Sequence, residues 1–179
     1  MMKIAINGVG RIGRLTFRNL LEKKGVEIVA INDLTDAKTL LHLLKYDSIH
    51  RALGHELSLN SNELQVAGQK ITMLAERDPS KLPWKDMGVD VVLECTGIFR
   101  NREKMGLHQK AGAKKVLLSA PASGDIKTFV LGVNDDQLKA EDDLLSNASC
   151  TTNCLAPMAK VLHENFGIVK GFMTTTHAY

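Results

Sequence analysis

The chain has 179 residues, of which 44% are hydrophobic and 24% charged, and its formal net charge is +3. That is the makeup of a globular protein with room for one ordinary domain and the beginning of a second. Lys and Arg are scattered rather than massed into a basic stripe, so no nucleic-acid partner is expected. No apolar run approaches the roughly 18 residues a membrane span needs, and no membrane partner is expected either. Met1–Asn7 lacks the pattern of a signal peptide, and three cysteines make no disulfide framework, so a reducing cytoplasm is the expected location.

In chain order, Lys3–Asn7 is an apolar run that ends at a glycine cluster. Arg11–Lys24 carries Ile12, Leu15, Phe17, Leu20 and Leu21 at helical spacing, and Glu27–Asn32 is a second apolar run. Strand, glycine turn, helix and strand make a βαβ unit. Ala37–Leu44 predicts a helix, and Glu63–Val66 with Lys70–Leu74 predicts a hairpin around Ala67-Gly68-Gln69. Val89–Cys95 is almost wholly apolar, as a strand buried on both faces should be. A helix over Arg102–Ala111 and strands over Lys115–Ser119, Thr128–Leu131 and Leu144–Ala148 follow, with acidic surface chain between Asp135 and Asp143. Cys150–Phe166 has helical spacing and Ile168–Tyr179 reads as strand. The alternation predicts an α/β fold built on a doubly wound parallel sheet.

Asn7-Gly8-Val9-Gly10-Arg11-Ile12-Gly13 matches G-x-G-x-x-G between a predicted strand and a predicted helix, the context in which the pattern binds a dinucleotide. Gly8 permits the tight turn, Gly10 lets a pyrophosphate approach the backbone, and Gly13 lets helix pack on strand. The helix N-terminus then offers N–H groups and a positive dipole end to the phosphates. Asp33 closes the second strand about 20 residues after Gly13. A carboxylate there accepts ribose hydroxyls and repels a 2′-phosphate, so NAD is expected rather than NADP. These features predict a Rossmann-type domain. As a strand-end turn or a helix cap, Asp33 would need no ligand.

Ser149-Cys150-Thr151-Thr152-Asn153-Cys154 opens a helical pattern. A thiolate at a helix N-terminus is stabilised by the dipole and by unpaired N–H groups, which can also hold a developing oxyanion. Ser149 and Thr151 add hydroxyls suited to an anionic substrate group. His177 lies in the predicted last strand and can serve as base if that strand neighbours the helix. Cys150, Cys154 and one histidine are too few and poorly spaced for zinc, so no metal is expected. Cys154 is expected to pack within its helix and Cys95 within the sheet.

Taken together, Asn7–Arg14, Asn32-Asp33, Lys45–Ser48, Glu94–Phe99, Ser119-Ala120-Pro121, Gly132-Val133-Asn134, Ser149–Cys154 and Thr175–Tyr179 resemble the phosphorylating glyceraldehyde-3-phosphate dehydrogenases, in family order. The cysteine hexapeptide is the specific part of this likeness. The resemblance implies an NAD-binding domain over 1–149, and over 150–179 the first helix and strand of an α+β catalytic domain. It implies NAD-dependent oxidation of glyceraldehyde 3-phosphate with inorganic phosphate to 1,3-bisphosphoglycerate, in a homotetramer. Cys150 would be the nucleophile, forming a thiohemiacetal and then a thioester, and His177 its base. Arg11 and Ile12 would lie at the pyrophosphate, Asp33 at the ribose, and Arg77, Thr96, Gly97 and Ser119 along the rest of the groove. Ser149 and Thr151 would help bind substrate or phosphate. The family pattern runs on beyond Tyr179, so the chain by itself is expected to be inactive or nearly so. Erythrose-4-phosphate dehydrogenase shares the motifs, and a nucleotide-binding module without turnover is the reading from another class.

Overall fold

The computed structural model describes residues 1–177. The chain runs β1 (Met2–Asn7), α1 (Arg11–Leu21), β2 (Val26–Asn32), α2 (Ala37–Lys45), β3 (Tyr46–Asp47), β4 (Arg51–Ala52), β5 (Leu57–Asn60), β6 (Glu63–Val66), β7 (Gln69–Leu74), α3 (Trp84–Met87), β8 (Val91–Glu94), α4 (Arg102–Lys110), β9 (Lys115–Leu118), β10 (Lys127–Thr128), β11 (Leu144–Ser146) and α5 (Cys150–Phe166). All but β3 and β4 join one nine-stranded sheet in the order β10-β11-β9-β8-β1-β2-β7-β6-β5. Pairing is parallel from β10 to β7 and antiparallel only where β7, β6 and β5 meet.

The order reverses at β1. The chain leaves it toward β2 and returns on its other side as β8, so the carboxyl ends of β1 and β8 diverge into loops of opposite direction. Ligands of open α/β sheets bind at such a crevice. Asn7 stands beside Glu94 across one pairing and beside Asn32 across the other.

Alternation along the strands separates two cores. Ile4, Ile6, Ile28, Ile31 and Leu93 face Phe17, Leu40, Leu44, Leu64 and Ile71, while Ala5, Ala30 and Val92 face Trp84, Leu82 and Val89 on the opposite side. Phe17 and Trp84 are fully buried, and truncating a side chain of that size to alanine typically costs about 3–5 kcal/mol.

Two expectations from the sequence fail here. The strand over Thr128–Leu131 shrinks to Lys127–Thr128, because the Asn134 side chain accepts the Val130 N–H at 2.8 Å and the chain turns there. The strand expected over Ile168–Tyr179 does not form among the described residues; 168–177 runs outside any ladder, and Ala178 and Tyr179 lie outside the described residues. A β-like sequence becomes a strand only against a partner, and no described strand lies beside it. An exposed sheet edge is therefore not the feature this segment presents. Instead α5 has no buried residue, and Val161, Leu162, Phe166, Val169 and Phe172 stand exposed.

An apolar surface of this kind drives association. In sedimentation velocity the chain is expected to sediment faster as its concentration rises. The double variant Leu162→Glu, Phe166→Glu should stay monomeric. A wild-type chain that remains monomeric throughout would contradict this.

Candidate functional site

The glycine turn is built against β8. Gly8 sits at φ +87, and a Cβ on it would lie 2.7 Å from the Thr96 side chain and 2.8 Å from the Thr96 nitrogen. A Cβ on Gly13 would run into the carbonyl oxygen of Gly8. Gly10 differs: a Cβ there meets nothing within 4 Å, because this residue faces open space as the N-cap of α1. No side chain caps α1 among the described residues, so its first turn presents backbone N–H groups outward. Asp33 holds the turn from the other side, its Oδ2 accepting from Val9 N at 2.7 Å and its Oδ1 from Thr35 N at 2.9 Å. A carboxylate has about four acceptor positions, so each oxygen keeps capacity for a further donor.

A groove of about 460 Å³ follows from these contacts, lined by Gly8, Gly10, Asp33, Arg77, Thr96 and Phe99 among others. Next to it lies a larger apolar groove of about 670 Å³ that takes in Ile12, Ser119, Ser149 and Cys150. Cys95 lines both and so marks where they meet. Gly97, at φ +73, turns the chain after Thr96, whose Oγ1 accepts from Ile98 N at 3.1 Å. Arg11 is the first residue of α1 and exposed; Gly13 is buried behind the turn. The donor set fits a dinucleotide: an uncapped helix start with bare backbone at Gly10 for a pyrophosphate, and a carboxylate with spare acceptors for a ribose. The apolar groove that shares Cys95 with the groove at the glycine turn offers space for a flat ring.

Cys150 is the first residue of the 17-residue helix α5. The geometry that places it begins at β11, where Ser146 Oγ donates to Ala120 O at 2.8 Å and accepts from Ala148 N at 3.1 Å. Ala148 is buried at φ +58, a left-handed conformation that a non-glycine residue adopts at a cost of order 1 kcal/mol or more. Ser149 then caps α5, its Oγ accepting from Thr152 N at 2.9 Å, and Asn153 Nδ2 donates to Asn147 O at 2.7 Å and Ser149 O at 2.9 Å. Cys150 is left exposed at the first turn, where the helix dipole favours negative charge. His177 Nε2 lies 3.3 Å from Thr151 Oγ1 and 3.1 Å from Thr175 Oγ1. The imidazole thus stands beside the residue after Cys150 without a strand to carry it.

Two cysteine assignments separate. Cys95 lies under the groove, and burial pushes its thiol up to about 11. Cys154 is exposed, not packed as its position in the helical pattern suggested, because nothing among the described residues covers that face of α5. The sequence assigns no role to Glu94, Asn7 and Asn32, buried polar residues at the ends of the strands that frame the groove, nor to His108, buried on α4 behind them. The signal available was a carboxylate closing an otherwise apolar strand. Among the described residues, no group of His, Cys, Asp and Glu is arranged to hold a metal, and no helix is long and apolar enough to cross a membrane.

Iodoacetamide near neutral pH should alkylate Cys150 first and Cys95 last. With its thiol near 11, Cys95 is thiolate in only about one molecule in a thousand at pH 8. Its labelling should rise as pH climbs toward that value. Peptide mapping that found Cys95 labelled ahead of Cys150 would contradict the assignment.

Residues 2–102 match the family model described as the NAD binding domain of glyceraldehyde 3-phosphate dehydrogenase, and residues 149–179 match that of its C-terminal domain. Proteins named glyceraldehyde-3-phosphate dehydrogenase are similar over the whole length. That of Thermotoga maritima is 59% identical across 100% of this chain and 54% of its own, and that of Clostridium acetobutylicum 58% across 100% and 54%. That of Geobacillus stearothermophilus is 57% identical across 99% and 53%. The chain spans about half the length of these curated relatives. With a Rossmann-type sheet, a glycine turn at its switch point and this likeness, the chain belongs to the glyceraldehyde 3-phosphate dehydrogenase family.

Proposed function

We propose that this chain is the NAD-binding portion, with the first catalytic segment, of an enzyme that oxidises glyceraldehyde 3-phosphate with inorganic phosphate to 1,3-bisphosphoglycerate. The observation that carries the reading is the exposed Cys150 at the first turn of α5, lining an apolar groove that shares Cys95 with the groove at the glycine turn. Residues 1–149 serve the cofactor and the chain from 150 onward the chemistry. The complete protein works as a cytoplasmic homotetramer.

In this reading α1 receives the pyrophosphate on its first N–H groups, with Arg11 and Ile12 beside it and Gly8, Gly10 and Gly13 letting the backbone come close. Asp33 accepts the adenine-side ribose hydroxyls and repels a 2′-phosphate, while Arg77, Thr96, Gly97 and Ser119 line the remaining path. When bound, NAD⁺ supplies the acceptor for a hydride. Cys150 Sγ attacks the aldehyde carbon and forms a thiohemiacetal, while His177 takes the thiol proton and then steadies the oxyanion with the N–H groups of the α5 first turn. Loss of hydride leaves a thioester on Cys150. Inorganic phosphate, held by Ser149 and Thr151, attacks that carbonyl, expels the thiolate and leaves as the acyl phosphate. Cys150 and His177 are both exposed in this chain, so water is not excluded from the thioester as catalysis requires.

Calorimetry of the chain with NAD⁺ should show saturable binding in about the micromolar-to-millimolar range, with NADP⁺ weaker. Gly10→Ala should weaken NAD⁺ at least tenfold while moving the unfolding midpoint by no more than about 2 °C, since its Cβ enters open space. No NAD⁺ binding by the wild type, or unaltered binding by the variant, would count against the groove. Mixed with glyceraldehyde 3-phosphate, NAD⁺ and phosphate, the chain should form little or no NADH. Vigorous turnover that Cys150→Ser abolishes would contradict the view that its pocket is incomplete.

A further inference from the structure

Behind the dinucleotide groove lies a chain of polar side chains centred on the buried Glu94, of which the chemistry above uses only Thr96. Glu94, fully buried at the end of β8, accepts from Asn7 Nδ2 at 2.6 Å and from His108 Nε2 at 3.0 Å on one carboxylate oxygen. Its other oxygen accepts from Thr96 N at 2.8 Å and from the Thr96 hydroxyl. His108, also fully buried, takes the indole N–H of Trp84 on Nδ1 at 3.0 Å. Indole can only donate, so Nδ1 must accept and Nε2 must bear the proton given to Glu94. In the other direction Asn7 Oδ1 accepts from Asn32 Nδ2 at 2.7 Å. Asn32 in turn donates to Glu76 O and accepts from Glu76 N, each at 2.8 Å. Asn7, Asn32, Glu76, Thr96 and Phe99 line the groove, and the Phe99 ring meets His108 edge-on at 6.1 Å.

We propose that Glu94 is a positioning residue for the dinucleotide: its carboxylate sets the orientation of Asn7, Asn32 and Thr96 across both walls of the groove, and the Trp84–His108 pair locks that carboxylate in place. The inference rests on the reading of the groove as the NAD site. Burying a carboxylate is costly, and a well-packed apolar residue would stabilise as much or more. What an apolar residue cannot do is accept four hydrogen bonds from groups that face it on both oxygens. Donors on both sides also make the acid irreplaceable by its amide. With either oxygen exchanged for NH₂, a donor faces a donor, at Thr96 N or at Asn7 and His108. His108 cannot answer by changing tautomer, because Trp84 holds Nδ1. Turning over the Asn7 amide passes the conflict to Asn32, and turning Asn32 passes it to the backbone of Glu76. The carboxylate therefore dictates the sense of every amide along the chain.

The test is Glu94→Gln, read by NAD⁺ affinity in calorimetry and by the ¹⁵N resonance of the indole of Trp84, the single tryptophan in the sequence. The variant should raise the NAD⁺ Kd at least tenfold and move the indole resonance. Leu144→Ala, a core change in a separate cluster that lines neither groove, should lower the unfolding midpoint while leaving Kd within twofold. Should Glu94→Gln be recovered unfolded, Trp84→Phe carries the test. Trp84 does not line the groove, so a Kd at least threefold higher in this variant reports passage through His108. A folded Glu94→Gln, or failing that Trp84→Phe, with wild-type Kd would overturn the inference. Absence of NAD⁺ binding by the wild-type chain would instead overturn the reading of the groove.

Discussion

Gly8 and Thr96 approach so closely that no side chain fits between them: a Cβ on Gly8 would stand 2.7 Å from the Thr96 methyl. The rest of the site depends on this contact. It brings the turn after β1 onto the turn after β8 at the switch point of the sheet, and so joins two loops that diverge elsewhere. On one side of the joint the first turn of α1 points outward. On the other, the path past Cys95 and Ser119 leads to the start of α5. A sheet of the same strand order with a wider gap at this point would have the elements without the groove.

The cysteine is presented by a different device. β11 ends in Ser146, whose hydroxyl ties the strand end to Ala120 and to Ala148 N. The left-handed turn at Ala148 swings the chain back so that α5 starts at the sheet surface. Strain at Ala148 is sustained because its own N–H is satisfied and Ser149 caps the helix it leads into. Cys150 and the groove at the glycine turn are thus set by backbone features at the ends of β11, β8 and β1, rather than by contacts among the reactive groups. His177 is the exception: its placement comes from hydroxyl contacts at Thr151 and Thr175 alone.

Much of this was legible in the amino-acid order. Periodicity and glycine placement gave the first βαβ unit, the hairpin of β6 and β7, and α5 from Cys150 to Phe166, because those segments are long or sharply punctuated. The strand expected over Thr128–Leu131 was cut short by the Asn134 side chain, a local competition that composition does not reveal. The final strand failed for want of a neighbour, which no property of its own residues could signal. Cys154 was misplaced for the same reason, since a helix face packs only if something covers it. The buried network at Glu94 was missed because an apolar run invites counting its apolar members. The informative residue was the one that broke the run.

Proximity of the cofactor groove to Cys150 is the central claim, and a protection experiment reads it directly. The rate at which a bulky maleimide modifies Cys150 would be followed as NAD⁺ is titrated in, with Cys154, one turn further along α5, as internal reference. The account predicts that NAD⁺ slows Cys150 alone, along a saturation curve whose midpoint equals the calorimetric Kd. Equal rates at Cys150 with and without saturating NAD⁺ would mean that bound dinucleotide does not reach the sulfur, and would contradict it.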